Sequence, residues 1–461
     1  MKKPIVVVPA IENKGLGDKY GGWNWMDISK KAWKYWCDKN NYQLVIYDKC
    51  TLSDIVKYRV TIQRWFDIHD FLDEKGIEYS KVLMVDACSV PKWDCPDFFK
   101  LTGDNMCGSR DIDNMRWVYE SVQGYKNIFN GFELDMSKYM NSGWVIFNES
   151  HRELFKQFKE YYLSNFDEFY KLQNEVVKRG TCQTPLNYFV QMNDVKVDFL
   201  PPEYRVSHLH RKEMLGHNWQ LDGSDFEDKT PFFVKYGCIW VFSGFDKRVR
   251  NDLMKRTWDL VKQYYTFDET EILLNSVNHK NTYKNATSRK FKKDIIEFFN
   301  DKKFKDMSIV EFGSCHGDTT KIFCDTFKKV HAVDWRDSNI EFVKEKCKEY
   351  DNITYRVMDV AKEEWKDLPK ADVVFIDASH DNSQVGIDIE KTIDYFDNPI
   401  IIMDDYGNST NKSIRNAIDN KIKEGKLKIH RKIGEDIGYK TKSGWSMDDR
   451  EGVICNMEGR V

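Results

Sequence analysis

Short apolar segments that end at ionisable residues constrain the fold of this 461-residue chain more than any other feature. In the second half of the chain, five such segments alternate with amphipathic stretches of helical length. This alternation is typical of an α/β sheet, which binds ligands at the carboxyl ends of its strands. The predicted strands are residues 308–312, 330–333, 354–358, 372–376 and 399–403, followed by an antiparallel pair at 427–431 and 452–455.

The first half of the chain repeats this α/β pattern with a different composition. Eleven of the 14 tryptophans precede residue 266, and this change predicts two unlike domains. We place them at residues 1–265 and 307–461, with a linker and leading helix at 266–306. Residues 279–306 carry nine Lys or Arg against four Asp or Glu, which fits either a solvated linker or a polyanion patch. The strands predicted in the first domain are residues 5–8, 43–47, 81–85, 144–147, 195–200 and 238–242.

Charge and hydropathy exclude several classes of partner. The formal net charge of -3, from 71 basic and 74 acidic residues, gives no reason to expect nucleic acid or an anionic membrane. No segment approaches the roughly 18 apolar residues of a membrane helix. The apolar run at residues 5–8 is shorter than the about 7–15 residues of a signal-peptide core. Because the 11 cysteines include no C-x-x-C pair, we predict a cytoplasmic protein with free thiols.

The turn after the first predicted strand of the second domain has the features of a nucleotide-binding loop. Glu311, Gly313 and Gly317 lie where this strand runs into the next helix. Glycine lets a ligand approach the backbone closely, and a helix amino terminus offers unpaired N–H groups. The second strand ends at Asp334, where an acid accepts hydrogen bonds from ribose hydroxyls. The third strand ends at Asp359, where an acid meets an adenine amino group.

These residues, with the acids that follow the fourth and fifth strands, resemble those of the class I S-adenosylmethionine-dependent methyltransferases. More narrowly, they are similar to the catechol-type and caffeoyl-CoA-type O-methyltransferases and their sugar-modifying relatives, over about residues 308–455. The resemblance implies a Rossmann-like fold and S-adenosylmethionine as the cofactor. It places Glu311, Gly313 and Gly317 at the methionine, Asp334 at the ribose and Asp359 at the adenine.

In metal-dependent members of that family, the acids after strands four and five hold Mg²⁺. The corresponding residues are Asp377, Asp404 and Asp405. Neighbouring carboxylates repel one another unless a cation lies among them, and that cation lowers the pKa of an acceptor hydroxyl. His380, at the place of the family's lysine base, and Asp377 are therefore the expected catalytic residues, with His380 taking the hydroxyl proton. Alternatively, Asp404 and Asp405 cap the next helix, and Asp377 accepts a hydrogen bond without a metal.

The first domain carries a second constellation, which resembles the GT-A-type, glycogenin-like glycosyltransferases over about residues 3–260. It consists of an acid after an apolar strand, an Asn-Ser-Gly triplet, a Gln at a helix start and a late Gly and Lys. In that family, a D-x-D motif and a late His hold Mn²⁺ or Mg²⁺ on the nucleotide diphosphate. The resemblance implies that a nucleotide sugar binds at Asp86, Asn141, Gly143, Gln183, Gly244 and Lys247.

Three positions depart from the glycosyltransferase pattern. Cys88 replaces the second acid of the D-x-D, Cys182 replaces the acid before the Gln, and Val241 replaces the His. Three interpretations remain: sugar transfer without the usual ligands, ligand binding without turnover, and a metal site displaced along the sequence. In the first interpretation, the ion is replaced by Lys247 and a displaced acid or histidine, with Asp94, His208, His210 and His217 as candidates.

We therefore expect a bifunctional transferase of two α/β domains. The amino-terminal domain is expected to transfer a sugar from a nucleotide sugar, and the carboxyl-terminal domain to O-methylate a hydroxyl of a sugar or glycan. The expected partners are a sugar nucleotide and a glycan or sugar acceptor, without nucleic acid or a membrane span. The alternative is a methyltransferase whose amino-terminal domain binds a glycan or nucleotide sugar and is catalytically inactive.

Overall fold

The structure, a computed structural model, divides into two compact units, Met1–Tyr265 and Thr266–Val461. Each unit has its own sheet and its own hydrophobic core. None of the helices in the described part of the chain combines the length and the apolar character that a membrane crossing requires. The described residues are 2–12, 24–55, 57–111, 114–201, 204, 231–245, 247–280, 286–378, 382–407, 412–436, 439–441, 444–446 and 450–456.

The first unit contains a six-stranded sheet and a separate two-stranded ribbon. The strands are β1 (Ile5–Pro9), β2 (Gln43–Tyr47), β3 (Val82–Val85), β4 (Ser89–Pro91), β5 (Met106–Arg110), β6 (Met140–Phe147), β7 (Val197–Phe199) and β8 (Ile239–Val241). The sheet order is β2-β1-β3-β6-β5-β7, and only β6 runs antiparallel to its neighbours. The beginning of β6 therefore lies at the same sheet edge as the ends of β3 and β5. Strands β4 and β8 form the antiparallel ribbon.

Helices cover both faces of this sheet. Because successive side chains of a strand point to opposite faces, Val7 packs in one hydrophobic cluster and Val6 and Val8 in another. Burial on both faces explains why the strand sequences are continuous apolar runs. The helices are α1 (Asn24–Asn40), α2 (Val60–Phe66), α3 (Ile68–Glu74), α4 (Met115–Tyr125), α5 (Arg152–Ser164), α6 (Phe166–Lys171), α7 (Gln183–Met192), α8 (Phe232–Tyr236) and α9 (Lys247–Val261).

The second unit is built on a seven-stranded sheet of order β11-β10-β9-β12-β13-β17-β14. Its first five strands are parallel, and β17 runs antiparallel to both of its neighbours. The strand order reverses between β9 and β12, which is the switch point where doubly wound sheets bind ligands. The strands of this sheet are β9 (Ser308–Phe312), β10 (Lys329–Asp334), β11 (Ile353–Val357), β12 (Val373–Ile376), β13 (Ile400–Met403), β14 (Lys428–Asp436) and β17 (Arg450–Asn456). Strands β15 (Tyr439–Thr441) and β16 (Gly444–Ser446) form a separate antiparallel pair.

In the described part of the second unit, two α-helices precede its first strand. The unit's helices are α10 (Glu269–Asn275), α11 (Arg289–Phe299), α12 (Asp318–Thr326), α13 (Asp337–Lys346), α14 (Asn382–Tyr395) and α15 (Lys412–Lys423). Ser288 caps α11 by accepting a hydrogen bond from the N–H of Phe291 at 3.0 Å. Phe291, Ile295 and Phe299 of α11 are buried in the core on one face of the sheet. The region interpreted as a linker and leading helix is therefore a packed layer of the second unit.

Most predicted strands coincide with observed ones to within two residues. Residues 43–47 and 308–312 match end to end, whereas β6 begins four residues before its predicted start. The predicted pair at the carboxyl end is confirmed as antiparallel β14 and β17, although both strands are longer than expected. Strands β4 and β5 were missed because β4 has only three residues and β5 includes Gly, Ser and Arg among its five.

Candidate functional sites

A cavity of about 870 Å³ opens at the carboxyl ends of the parallel strands of the second unit. The segments that follow all five of these strands contribute to its wall, so it lies at the switch point of the sheet. Of the residues predicted to bind the cofactor or a metal, the cavity is lined by Gly313, Asp334, Asp359, Asp377, Asp404 and Asp405. Glu311 and Gly317 are not among the residues that line it.

Two glycines shape the turn between β9 and α12. Gly313 has a φ of +93°, and a Cβ there would lie 2.1 Å from the carbonyl oxygen of Asp377. Gly317 has a φ of +78° and caps α12, where a Cβ would lie 3.1 Å from Val343 Cα. Both positions therefore require glycine, but Gly317 serves the packing of α12 and not the cavity wall.

Glu311 lies beneath the cavity and is 1% exposed. Thr320 donates a hydrogen bond to its Oε2 at 2.5 Å. Burial raises the pKa of Glu311 to about 8, so the side chain is mostly protonated at neutral pH. Glu311 therefore joins β9 to α12 through a buried hydrogen bond.

Asp334 organises one end of the cavity. Its carboxylate accepts hydrogen bonds from the N–H groups of Cys315 at 2.9 Å and Arg336 at 3.0 Å, and from Asn339 Nδ2 at 3.0 Å. It therefore fixes both the glycine turn and the start of α13. Trp335, which the sequence analysis missed, lines the cavity next to it and is 59% exposed. The sequence feature that could have identified Trp335 is a large apolar residue directly after an acid at a strand end.

Asp359 lines the same end of the cavity. Lys362 donates a hydrogen bond to its carboxylate at 2.8 Å, and the N–H of Ala361 donates another at 3.1 Å. The hydrogen bond from Lys362 holds the pKa of Asp359 below its usual value, so this carboxylate is ionised at neutral pH.

Three carboxylates, Asp377, Asp404 and Asp405, form the other end of the cavity. Desolvation, and then the charges of Asp404 and Asp405, raise the pKa of Asp377 well above its usual value. Desolvation, and then Asp405, raise the pKa of Asp404 to about 8. Within the described ranges, no group of three or more His, Cys, Asp or Glu side chains is arranged to hold a metal ion. The predicted catalytic residue His380 lies outside the described residues.

Two lysines that precede the sheet bring positive charge to this end of the cavity or support the segment that does, and no sequence motif marked either one. Lys280 lines the cavity, and its positive charge opposes the rise in the pKa of Asp404. Lys292 is fully buried on α11. It donates one hydrogen bond to the carbonyl oxygen of Thr287 at 2.8 Å and another to Thr287 Oγ1 at 2.7 Å. The N–H of Lys280 donates in turn to the Thr287 carbonyl at 3.2 Å. Lys292 therefore anchors the segment that carries Lys280.

In the first unit, predicted residues meet at the sheet edge where β3 and β5 end and β6 begins. Asn141 and Gln183 donate side-chain hydrogen bonds to the same oxygen, Asp111 Oδ2, at 3.0 and 2.7 Å. Gln183 Oε1 accepts from the N–H of Ser142 at 3.1 Å, and Asn141 Oδ1 accepts from the N–H of Gly143 at 2.8 Å. Asp111, a buried acid that no motif marked, is the centre of this network.

Asp86 joins this edge through an ion pair with the buried Arg64. Arg64 Nη1 lies 2.8 Å from Asp86 Oδ1, and Arg64 Nη2 donates to the carbonyl oxygen of Ser142 at 2.7 Å. The N–H of Asp86 donates to the carbonyl of Gly143 at 2.9 Å. Arg64 comes from α2, 22 residues before Asp86, and its sequence context gave no sign of this contact.

The β4–β8 ribbon carries two positions at which metal ligands were expected. Because the N–H of Phe242 donates to the carbonyl of Cys88 at 2.9 Å, Cys88 and Val241 lie close to each other. Both side chains are buried. Burial raises the pKa of the Cys88 thiol to about 11, so it is protonated at neutral pH. The residues at this edge therefore do not fit the expected Mn²⁺ or Mg²⁺ site.

The remaining residues of the glycosyltransferase pattern lie around this edge or outside the described residues. Gly244 follows β8 with a φ of +74°. Cys182 precedes α7, and its Sγ lies 3.4 Å from Ser142 Oγ. Asp94 forms an ion pair with Lys92 at 3.0 Å. Outside the described part of the chain are His208, His210, His217 and the side chain of Lys247.

Comparison with known proteins assigns part of the second unit. The family model described as a methyltransferase domain matches residues 310–406, about a fifth of the chain. No curated protein matches the chain. Residues 310–406 of the second unit therefore match a methyltransferase domain, and the cavity lies at the carboxyl ends of the strands in this region. The match does not reach the first unit, whose glycosyltransferase resemblance stays a prediction.

Solved structures similar to the chain include enzymes and a fibrillarin. Precorrin 8W decarboxylase from Methanobacterium thermoautotrophicum is 17% identical, with 40% of this chain and 96% of that chain covered and a TM-score of 0.29. Fibrillarin from Aeropyrum pernix, with natively bound S-adenosyl-L-methionine, is 14% identical, with coverages of 33% and 67% and a TM-score of 0.26. Precorrin-6y C5,15-methyltransferase from Geobacter metallireducens is 15% identical, with coverages of 40% and 93% and a TM-score of 0.29.

Proposed function

We propose that the second unit binds S-adenosylmethionine in its cavity and transfers the methyl group to a hydroxyl of a sugar or glycan. The observation that carries this proposal is the position of Asp334, which lines the cavity and holds the glycine turn within the matched domain. A carboxylate fixed by three donors keeps lone pairs in a defined place for ribose hydroxyls. Trp335 offers an exposed ring, and Asp359 an ionised acceptor, to the adenine.

The carboxylates at the other end of the cavity are proposed to receive the acceptor hydroxyl. In the transfer, the bond from the sulfonium sulfur to the methyl carbon breaks as the acceptor oxygen bonds that carbon, and the oxygen gives up its proton. His380 stays the proposed base for that proton, and Asp377 lies three residues before it. Lys280 supplies positive charge beside Asp404 while the hydroxyl is being deprotonated.

Mg²⁺ at this end is proposed from the chemistry of the side chains alone, because in the described part of the chain they are not arranged as a metal site. Asp404 Oδ1 has no hydrogen-bond partner among the described residues, and carboxylate oxygens are the ligands that Mg²⁺ prefers. Mg²⁺ bound at Asp377, Asp404 and Asp405 would supply a Lewis acid that lowers the pKa of the acceptor hydroxyl.

The first unit is proposed to bind a nucleotide sugar at the edge formed by Asp86, Asn141, Gly143 and Gln183, and to transfer its sugar. Support comes from the way hydrogen bonds gather these residues around Asp111. Fusion to a methyltransferase domain suggests that both units act on the same glycan, because linkage raises the effective concentration of a shared substrate.

Methyl transfer from labelled S-adenosylmethionine to matched sugar and phenol acceptors tests the substrate class. We expect methylation of at least one sugar, oligosaccharide or glycan acceptor, and its loss in the Asp334→Asn variant. Full activity on a simple phenol with none on any carbohydrate would contradict the sugar assignment. The same assay with and without EDTA tests the proposed role of Mg²⁺.

A second candidate function for the first unit is binding without turnover. The ion pair between Arg64 and Asp86 favours it, because Arg64 engages the single acid that remains of the expected D-x-D. Hydrolysis of a panel of nucleotide sugars, with and without Mn²⁺, separates the two functions. Turnover of any donor supports the transferase, whereas binding of a donor without hydrolysis supports the binding domain.

A further inference from the structure

The edge of the first unit where a divalent cation was expected is occupied by fixed side-chain contacts. Two of the three expected ligand positions hold Cys88 and Val241, which are 6% and 5% exposed. A protonated thiol and a valine give a hard cation no oxygen or imidazole ligand. Only Asp86 remains of the expected ligand set.

The carboxylate of Asp86 is enclosed on two sides. Arg64, 2% exposed, lies 2.8 Å from its Oδ1. On the other side, a Cβ at Gly143 would lie 2.4 Å from Asp86 Oδ2, so this oxygen packs directly against the glycine backbone. The carboxylate is nevertheless 21% exposed, so part of it faces solvent at the sheet edge.

The positive charge at this edge comes from arginines. Arg64 contributes one positively charged guanidinium group. Arg250 Nε donates to the carbonyl of Phe242 at 2.9 Å, next to the β4–β8 ribbon. Burial is the main influence on the Cys88 thiol, and the charges of Arg250 and Arg64 both oppose the resulting rise in its pKa. A divalent cation here would therefore meet two guanidinium groups.

We propose that this edge binds its ligand without a divalent cation, and that Arg64 takes the ion's place by holding Asp86 as an acceptor for ligand hydroxyls. Arg64 is a positioning residue in this arrangement, and Asp86 is the group that contacts the ligand. The ligand class is a nucleoside diphosphate or its sugar ester, so the ligand part of the proposal rests on the proposed function of the first unit. The metal part rests on the residues alone.

Binding of Mn²⁺ alone tests the metal part. The full-length chain with Asp404→Asn and Asp405→Asn, which weakens the carboxylate cluster of the second unit, is titrated with Mn²⁺ by electron paramagnetic resonance. We expect Asp86→Asn in this background to leave the number and affinity of bound Mn²⁺ unchanged. Loss of a bound Mn²⁺ on this substitution would overturn the proposal.

Binding of UDP and GDP to the full-length chain, measured by calorimetry, tests the ligand part. We expect the Kd of the tighter nucleotide to agree within about threefold between EDTA and Mn²⁺. Asp86→Asn is expected to weaken binding by about tenfold or more, because a hydrogen bond to a charged group is lost. Binding that requires Mn²⁺ would overturn metal independence, and failure of both nucleotides to bind would overturn the ligand assignment while leaving the Mn²⁺ result intact.

Arg64 variants distinguish positioning from a purely structural role. Arg64→Lys keeps the charge and is expected to retain nucleotide binding in EDTA. Arg64→Met removes the charge and is expected to lose that binding, with partial recovery on addition of Mn²⁺, because the carboxylate of Asp86 becomes available to the ion. If Arg64→Met fails to fold, Arg64→Lys still tests the proposal, because nucleotide binding that depends on Mn²⁺ in that variant contradicts it. Arg116→Met, at an exposed surface pair, is the matched control.

Discussion

At the scale of single residues, a few side chains with unusual environments determine the candidate cofactor site. Gly313 has a backbone conformation that favours glycine and lies against the Asp377 carbonyl. Glu311 is a buried carboxyl group beneath the turn, and Asp334 is a buried carboxylate with three donors. Each of these features leads to a measurable effect on stability or binding.

Substitution of Gly313 is expected to damage the turn. In Gly313→Ala the new Cβ would lie 2.1 Å from a carbonyl oxygen, at a positive φ that alanine rarely adopts. We expect a loss of about 1–3 kcal/mol or more in the free energy of unfolding. The matched control is Gly386→Ala on α14, where no atom lies within 4 Å of the new Cβ and the change is expected to stabilise by about 0.5–1 kcal/mol. Equal effects of the two variants in denaturant unfolding would refute this explanation.

The buried carboxyl of Glu311 predicts a pH dependence of stability. Its pKa is about 8 in the folded chain and about 4.3 when unfolded, so the folded state binds more protons between these values. The contribution of Glu311 to the free energy of unfolding is therefore fully present below the unfolded pKa. This contribution is lost as pH rises towards 8, by up to about 1.4 kcal/mol per pH unit. We expect Glu311→Gln to flatten this decline in unfolding measurements between pH 5 and 8, relative to the exposed control Glu345→Gln. Parallel curves of stability against pH for the wild type and Glu311→Gln would rule out Glu311 as the source of this decline.

At the scale of helices and strands, the segment before β9 belongs to the same compact unit as the region that matches the methyltransferase domain. Helix α11 buries Phe291, Ile295 and Phe299 against the sheet, and the residues just before it carry Lys280 to the cavity. The matched family region begins only at residue 310. The compact unit is therefore longer than the matched region.

Two fragments test this boundary. A fragment of residues 266–461 is expected to fold and bind S-adenosylmethionine, because it keeps α10 and α11. A fragment of residues 307–461 exposes one face of the sheet and loses roughly 1.5–3 kcal/mol for each large buried side chain of α11. We expect it to aggregate or to lack cooperative unfolding in circular dichroism. A shorter fragment that unfolds as cooperatively as the longer one would contradict the role of α11.

Sequence patterns predicted the elements that are locally encoded. Strands β9 and β2 were placed correctly because an apolar run buried on both faces is visible within five residues. Asp334 and Asp359 were found because each ends or directly follows such a strand. Arg64, Asp111 and Lys280 were missed, because their roles depend on partners far away in the sequence. A buried arginine, or a lysine that lines a cavity, has the same appearance in a sequence as one on the open surface.

At the scale of the whole molecule, the two units differ in how their acidic side chains are paired. The first unit neutralises Asp86 with Arg64 and gathers Asn141 and Gln183 around Asp111. The second unit concentrates carboxylates whose pKa values are raised by desolvation and by one another. The first arrangement suits a ligand that brings hydroxyl groups, and the second suits a ligand or ion that brings positive charge.

The most direct test of the central claim is calorimetric titration of the full-length chain with S-adenosylmethionine. We expect one binding site in the wild type, and a Kd raised by about tenfold or more in Asp334→Asn, because a charged acceptor for the ribose hydroxyls is lost. Asp337→Asn, the same change three residues away at an exposed position, is expected to bind within about threefold of the wild type. No binding by the wild type, or equal affinity in Asp334→Asn and the wild type, would contradict the assignment of this cavity.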